Sequence, residues 1–245
     1  MIIYRQLSYI IHCMSGQGMI LVKIASIPSR VRQLESTICK LLGLVDRVEV
    51  YLNNYLAVPQ FLNQPKIQVF TSQEYGDRGD IGKFFQIEHA AGYVLTIDDD
   101  LIYPDNYIQT MVNKIDFYNR RAFVCVHANI LPQFALSSYY QDKLGLHFEG
   151  ALEEDKRVDI PGTGTLGFHT DVVQLRSDIF LKSNMTDIWL GVYAKNKDLP
   201  IICIERAAGW LSQARGEAFE HSIYNLCVNN DSYQTSVINK SFKLG

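Results

Sequence analysis

The chain has 245 residues, 47% of them hydrophobic and 20% charged, with a formal net charge of -3. That composition excludes collagen-like repetition and wholesale disorder, and the charge offers no general attraction to nucleic acid or to an anionic membrane. The length fits one large α/β domain or two small ones.

The opening "MIIYRQLSYIIHCMSGQG" is interrupted by Arg5 and His12 and reads as a lead-in over 1–18 rather than a signal peptide. "MILVKIASI" (19–27) is a β-branched run stopped by Pro28 and Ser29, the pattern of a buried strand. "SRVRQLESTICKLLGL" then repeats apolar residues at i, i+3 and i+4 and predicts an amphipathic helix capped by Ser29. "RVEVYLN" and "KIQVF" follow as strands, "IGKFFQIEHAA" as a helix of about ten residues, and "YVLTI" as a fourth strand ending at Asp98, Asp99 and Asp100. A further helix is expected from Pro104 and Asp105, because proline suits a first turn and an acidic residue favours the positive end of the helix dipole.

"RAFVCVHANIL" predicts one more strand, and residues 133–165 lose periodicity. Strand signals return at "TLGFHTDVV" and "PIICIE", with a helix at "TDIWLGVYAKNK" between them. The alternation predicts an α/β fold with a mostly parallel central sheet flanked by helices. No stretch approaches the ~20 apolar residues of a spanning helix. The expected protein is therefore soluble or at most peripheral.

Ligands of open α/β sheets bind outside the carboxyl ends of the strands. Those positions here are Pro28, Ser29 and Arg30 after the first strand, Asn53 and Asn54 after the second, 72–83 after the third, and the aspartates after the fourth. Three adjacent carboxylates beside a core repel one another and lose solvation, so a positive partner is expected. Carboxylates are hard oxygen ligands, and residues i and i+2 of an extended turn face the same side, which pairs Asp98 with Asp100 for Mg²⁺ or Mn²⁺ and turns Asp99 elsewhere. A solvated turn or a helix cap explains a lone "DDD" about equally well. "EYGDRGDIGKF" (74–84) is glycine-rich, with Asp80 placed to cap a helix and Lys83 able to reach a phosphate or a carboxylate.

"VKIASIPSR", "VEVYLNNY", "GDRGDIGKF" and "GYVLTIDDDLIYPDNYI", in that order and spacing, resemble the nucleotide-binding half of a GT-A glycosyltransferase of the family 2 type found in bacterial polysaccharide and capsule gene clusters. The resemblance covers roughly 20–115 and continues more loosely through "GTGTLGF" and "MTDIWLGVYAKNKDLP". It implies a GT-A fold with a single catalytic domain over 19–245: a nucleotide-sugar half (19–130) and an acceptor half (131–245) whose Gly209–Asn225 tail forms a lid. Pro28, Ser29 and Arg30 would contact the nucleoside and Asn53 would lie beside the base, where many members carry aspartate. Asp80 and Lys83 would hold nucleoside and diphosphate, with Asp98 and Asp99 among the donor-binding residues. Asp98 and Asp100 would be the metal pair of a DxD motif, with His221 as a further ligand, and Asp187 would be the catalytic base. Read from the residues alone, Asp187 is an ordinary helix N-terminal aspartate.

The implied activity is metal-dependent, inverting transfer of a sugar, with a uridine diphosphate sugar as expected donor, to a hydroxyl of a glycan or lipid-linked glycan, in the cytoplasm or at the inner face of the membrane. The alternatives are a nucleotidyltransferase, against which "ASIPSRVRQ" lacks a glycine-rich phosphate loop, and an inactive protein that only binds. The five cysteines show no CxxC pattern, and Cys39, Cys125 and Cys203 are expected to be buried thiols of a reducing compartment. His89, His127, His147 and His169 lack metal-ligand spacing and are expected to be structural. Residues 153–157 read as a solvated mixed-charge surface, and Trp189, Trp210, Tyr139, Tyr140 and Phe148 as core fillers or sugar-stacking aromatics.

Overall fold

A computed structural model describes residues 18–214 and 230–244. The strands are β1 (Ile20–Ser26), β2 (Arg47–Leu52), β3 (Ile67–Thr71), β4 (Tyr93–Ile97), β5 (Leu101–Ile102), β6 (Phe123–Cys125), β7 (Ala128–Ile130), β8 (Leu144–Leu146), β9 (Lys156–Val158), β10 (Ile160–Pro161), β11 (Thr165–His169), β12 (Ile201–Cys203) and β13 (Ser212–Gln213). Four longer helices are α1 (Val31–Leu41), α2 (Tyr107–Phe117), α3 (Thr186–Asn196) and α4 (Ser232–Phe242). Eight strands form one sheet in the order β3-β2-β1-β4-β11-β6-β12-β9. All run in one direction except β11 and β9, so the expected mostly parallel, helix-flanked sheet is present as a mixed α/β architecture.

Strand periodicity divides the interior into two cores. Tyr93, Leu95 and Ile97 of β4 face one side with Val22, Ile24 and the apolar stripes of α1 and α2, while Val94, Phe123, Leu166 and Phe168 face the other with α3 and α4. Gly167 makes room for this packing, because a Cβ there would lie 2.7 Å from Leu95 Cδ2 and 3.1 Å from Ile115 Cδ1. The second side also holds a buried ion pair, Lys23 with Glu49, which are register partners on β1 and β2; Lys23 donates a further hydrogen bond to the Phe85 carbonyl at 2.9 Å. Burial lowers the Lys23 ammonium from its ordinary value despite Glu49.

Several expected boundaries move. "IGKFFQIEHAA" is not an α-helix but two 3-10 turns, Gly79–Phe84 and Ile87–His89, parted by an extended Phe85 and by Gln86 at φ 53°. The predicted strand at 121–131 breaks into β6 and β7, which belong to different sheets. Ser29 does not cap α1: Pro28–Arg30 forms a 3-10 turn, no side chain caps either start, and Ser29 is exposed. The helix expected from Pro104 begins at Tyr107. Cys39 is exposed, because it lies off the apolar stripe of α1, whereas Cys125 and Cys203 are buried as expected. Among the described residues no helix is long and apolar enough to cross a membrane.

Candidate functional site

β1 is hydrogen-bonded on one side to β2 and on the other to β4, both parallel. The chain leaves β1 toward β2 and β3 and then returns to β1's other side as β4. That reversal opens a crevice at the carboxyl ends of β1 and β4, the place where open α/β sheets bind ligands. Arg30 follows β1 there and Asp98–Asp100 follow β4.

The positive charge that the acidic triplet needs is supplied within the chain. Arg30 Nη1 lies 3.1 Å from Asp99 Oδ1 and 2.9 Å from Asp100 Oδ2. Lys83, almost fully buried, pairs with Asp98 Oδ1. Burial alone would lower the Lys83 ammonium, and Asp98, with Asp80 and Asp100, more than reverses it, leaving it above its ordinary value. Asp99 is 1% exposed and does turn away from Asp98, into the protein. Burial pushes its carboxyl up to about 6, against the pull of Arg30, and its Oδ2 has no hydrogen-bond partner among the described residues. Asp100 is raised as well, first by burial and then by the neighbouring Asp98.

Backbone and small residues fix this arrangement. The Tyr103 hydroxyl accepts from the Asp98 amide at 2.8 Å and donates to the Gly164 carbonyl at 2.6 Å. Gly164 leaves space for the carboxylate, since a Cβ there would sit 1.9 Å from Asp98 Oδ2. The Asp100 carbonyl accepts from the Ala214 amide at 2.8 Å and Gln213 Nε2 at 3.0 Å, where β13 pairs with β5. A cleft of about 310 Å³, at the small end of ligand pockets, runs from α1 past Arg32, Thr37 and Lys40 to Asp99 and Tyr103.

A second carboxylate site lies across a short polar bridge. Lys83 Nζ is 3.4 Å from Thr163 Oγ1, which is 3.3 Å from Thr186 Oγ1 at the start of α3. Asp80 accepts from the Asn184 amide at 2.6 Å, the Thr186 amide at 3.2 Å and Thr186 Oγ1 at 2.7 Å. It therefore caps a helix, as expected, but the helix is α3, about a hundred residues further along the chain. Asp187 follows Thr186, half-buried, and accepts from the Tyr139 hydroxyl at 3.3 Å. Burial raises its carboxyl, with Lys143 pulling the other way.

Asn53 is buried, with both ends of its amide used internally: Nδ2 donates to the Gly79 carbonyl at 2.9 Å, and Oδ1 accepts from the Arg78 amide at 3.0 Å. Its place is that of a strut under the 78–79 turn. Pro28 and Ser29 are exposed at the crevice mouth. His221 and residues 215–225 of the expected lid lie outside the described residues. His147 is exposed, whereas His127 is enclosed beside Phe148 and held neutral by burial, its titration moved down to about 3. Asp155 is not solvated as expected: it receives Lys114 Nζ at 2.8 Å, the Tyr118 hydroxyl at 2.8 Å and the Glu205 amide at 2.8 Å. Residue types alone did not single out Tyr103, Thr163 or Gly164; the glycine repeat of "GTGTLGF" was the visible trace of the last.

A divalent cation fits this site in a limited way. Asp98 and Asp100 offer hard oxygen ligands, but among the described residues no group of three or more histidine, cysteine or acidic side chains converges on one point. Two carboxylates suit a cation whose remaining positions are filled by phosphate oxygens. No family model matches the chain, and no curated protein matches it either.

Proposed function

We propose that the protein is a GT-A-type glycosyltransferase that takes a nucleotide-diphosphate sugar, with a uridine nucleotide as the expected base, and transfers the sugar to a glycan hydroxyl. The observation that carries this reading is the pairing of two carboxylate sites joined by a short polar bridge at one end of the sheet. Asp98–Asp100, with Arg30 and Lys83, occupies the sheet's reversal point, and Asp187 stands beyond the Lys83, Thr163 and Thr186 bridge. Glycosyl transfer needs both ends: stabilisation of a departing diphosphate, and removal of a proton from the attacking hydroxyl.

Asp98 and Asp100 would hold Mn²⁺ or Mg²⁺, which supplies charge stabilisation to the diphosphate as it leaves. Arg30 and Lys83 place two further cations at the same oxygens, where they screen the triplet before the donor arrives. Asp187 takes the acceptor proton on the opposite side, with inversion. Asn53 and Asp80 act by holding the 78–84 turn and the start of α3.

A thermal-shift panel of nucleotide diphosphate sugars with and without Mn²⁺ tests the reading directly. A ligand that binds only the folded chain must stabilise it. A Mn²⁺-dependent rise in Tm with one nucleotide sugar, lost in Asp98→Ala and Asp100→Ala, is the expected result. An unchanged Tm across the panel would remove the donor assignment, and full transfer activity in Asp187→Asn would remove the base.

A further inference from the structure

The reading of Asp187 as base leaves unexplained why its neighbours come from so many parts of the chain. Tyr139 is fully buried and its hydroxyl donates to Asp187 Oδ2 at 3.3 Å, while Asn129 Nδ2 donates to that same hydroxyl at 3.2 Å. Asn129 is itself buried on β7. The donated proton fixes the hydroxyl's orientation: with Asn129 occupying a lone pair, the Tyr139 O–H is left to point at the carboxylate. Lys143 completes the group. Its ammonium lies 4.3 Å from the Tyr139 ring centroid and 4.8 Å from that of Tyr140, over both π-faces, within electrostatic reach of Asp187 and Asp231.

The turn that carries these side chains is anchored from the C-terminal side. Asp231, at the start of α4, accepts from Ser138 Oγ at 2.7 Å and from the Tyr140 amide at 2.9 Å, and Thr235 Oγ1 accepts from the Tyr139 amide at 2.9 Å. Residues 129–143 thus reach Asp187, and 231–235 brace the turn that carries Tyr139.

We propose that Asn129, Tyr139 and Lys143 are positioning residues for Asp187, a hydrogen-bonded and cationic set that holds one carboxylate oxygen in place and keeps the group ionised for proton removal. The proposal rests on the reading of Asp187 as the base. The charged groups facing it are Lys143, which favours its ionised form, and Asp80, which opposes it; Asp231 acts on Lys143. Burial raises Asp187, and Lys143, the Ile188 amide and the Tyr139 hydroxyl, in that order, pull it back toward ionisation. Tyr139 itself is pushed far above its ordinary range by burial and stays a donor.

The test is a ¹³C carboxyl titration of Asp187, assigned by its loss in Asp187→Asn, in the wild type, Tyr139→Phe and Lys143→Met. It is read beside the pH profile of kcat with the best nucleotide sugar. In each variant the Asp187 titration and the acid limb of kcat move up by about one pH unit, with donor KM within about twofold. At pH below the limb that is about a tenfold loss of rate. Lys143→Arg restores the wild-type limb. A titration that stays in place in both variants overturns the positioning set even if Asp187→Asn is inactive. Full turnover in Asp187→Asn with a moved titration instead overturns the base reading and leaves the set standing. Lys143 is half-buried at the surface, so Lys143→Met keeps the test open if Tyr139→Phe does not fold.

Discussion

The two carboxylate sites on either side of the Lys83, Thr163 and Thr186 bridge are built in opposite ways. At the end of β4 three acidic side chains are crowded together, and two cations, Arg30 and Lys83, neutralise them from either side. At the start of α3 Asp80 is tied up by backbone amides and the Thr186 hydroxyl, while Asp187 meets a neutral hydroxyl, with Lys143 stacked on aromatic rings nearby. On the proposed reading, the group that would grip a metal or an anion is held in ion pairs, while the group that would exchange a proton has weaker partners and a titration that its surroundings can tune.

Mutations at the first site should produce the largest effects. Asp98→Ala removes a proposed metal ligand and leaves Lys83 buried without its carboxylate partner; transfer should fall about 100- to 1,000-fold or more, measured as turnover, with a lower Tm. Gly164→Ala should follow closely although no atom of residue 164 takes part in chemistry, because a Cβ 1.9 Å from Asp98 Oδ2 must displace the carboxylate. Overpacking of this kind costs about 1–3 kcal/mol, read by urea denaturation, and metal-dependent nucleotide binding should weaken in parallel.

At the second site, Asp80→Asn should cost about 1–2 kcal/mol of stability, because the amide keeps one accepting oxygen and turns an NH₂ donor toward either the Asn184 amide or the Thr186 donors, with a loss of turnover smaller than that of Asp98→Ala. If Asp80→Asn instead abolishes nucleotide binding, the division between the two sites fails. The smallest effect belongs to a control away from both. Asp155 is pulled below its ordinary value, burial being outweighed by Lys114, the Glu205 amide and Tyr118. Its contribution is therefore present above the unfolded carboxyl value of 3.8 and disappears as pH falls through the folded one. Asp155→Asn should cost about 1 kcal/mol at pH 7, nothing in strong acid, and should leave turnover unchanged, measured by urea denaturation at both pH values.

Much of the first half was legible because local pattern and tertiary role agree there. The β-branched runs of β1 to β4 and the apolar stripe of α1 have the period of the elements they form, and the polar residues behind each strand fall at the sheet's open end. Where pattern and packing diverge, sequence reading loses its hold. "IGKFFQIEHAA" has helical spacing, yet Phe84 enters the α3 core while Phe85 packs against Tyr51 and Phe70, a split one helical face cannot make. Lys23 and Glu49 interrupt apolar runs and look like solvent-facing positions until β1 and β2 are set in register. The partners of Asp98 that matter, Tyr103 and Gly164, act through a hydroxyl and through missing volume, and neither leaves a chemical signature in a string of letters. Asp80 reads correctly as a cap, but nothing local says that the helix it caps lies about a hundred residues away.

The 79–84 turn has one more consequence. Asp80 grips the start of α3 while Lys83, three residues on, grips Asp98. One short segment thus works as a caliper, its jaws closed on the acidic triplet and on the start of α3. The pitch of a 3-10 turn therefore enters the spacing of the two sites alongside the packing of α3 on the sheet. Inserting or deleting a single residue between Asp80 and Lys83 should shift the acidic triplet relative to Asp187 while removing no side chain from either site.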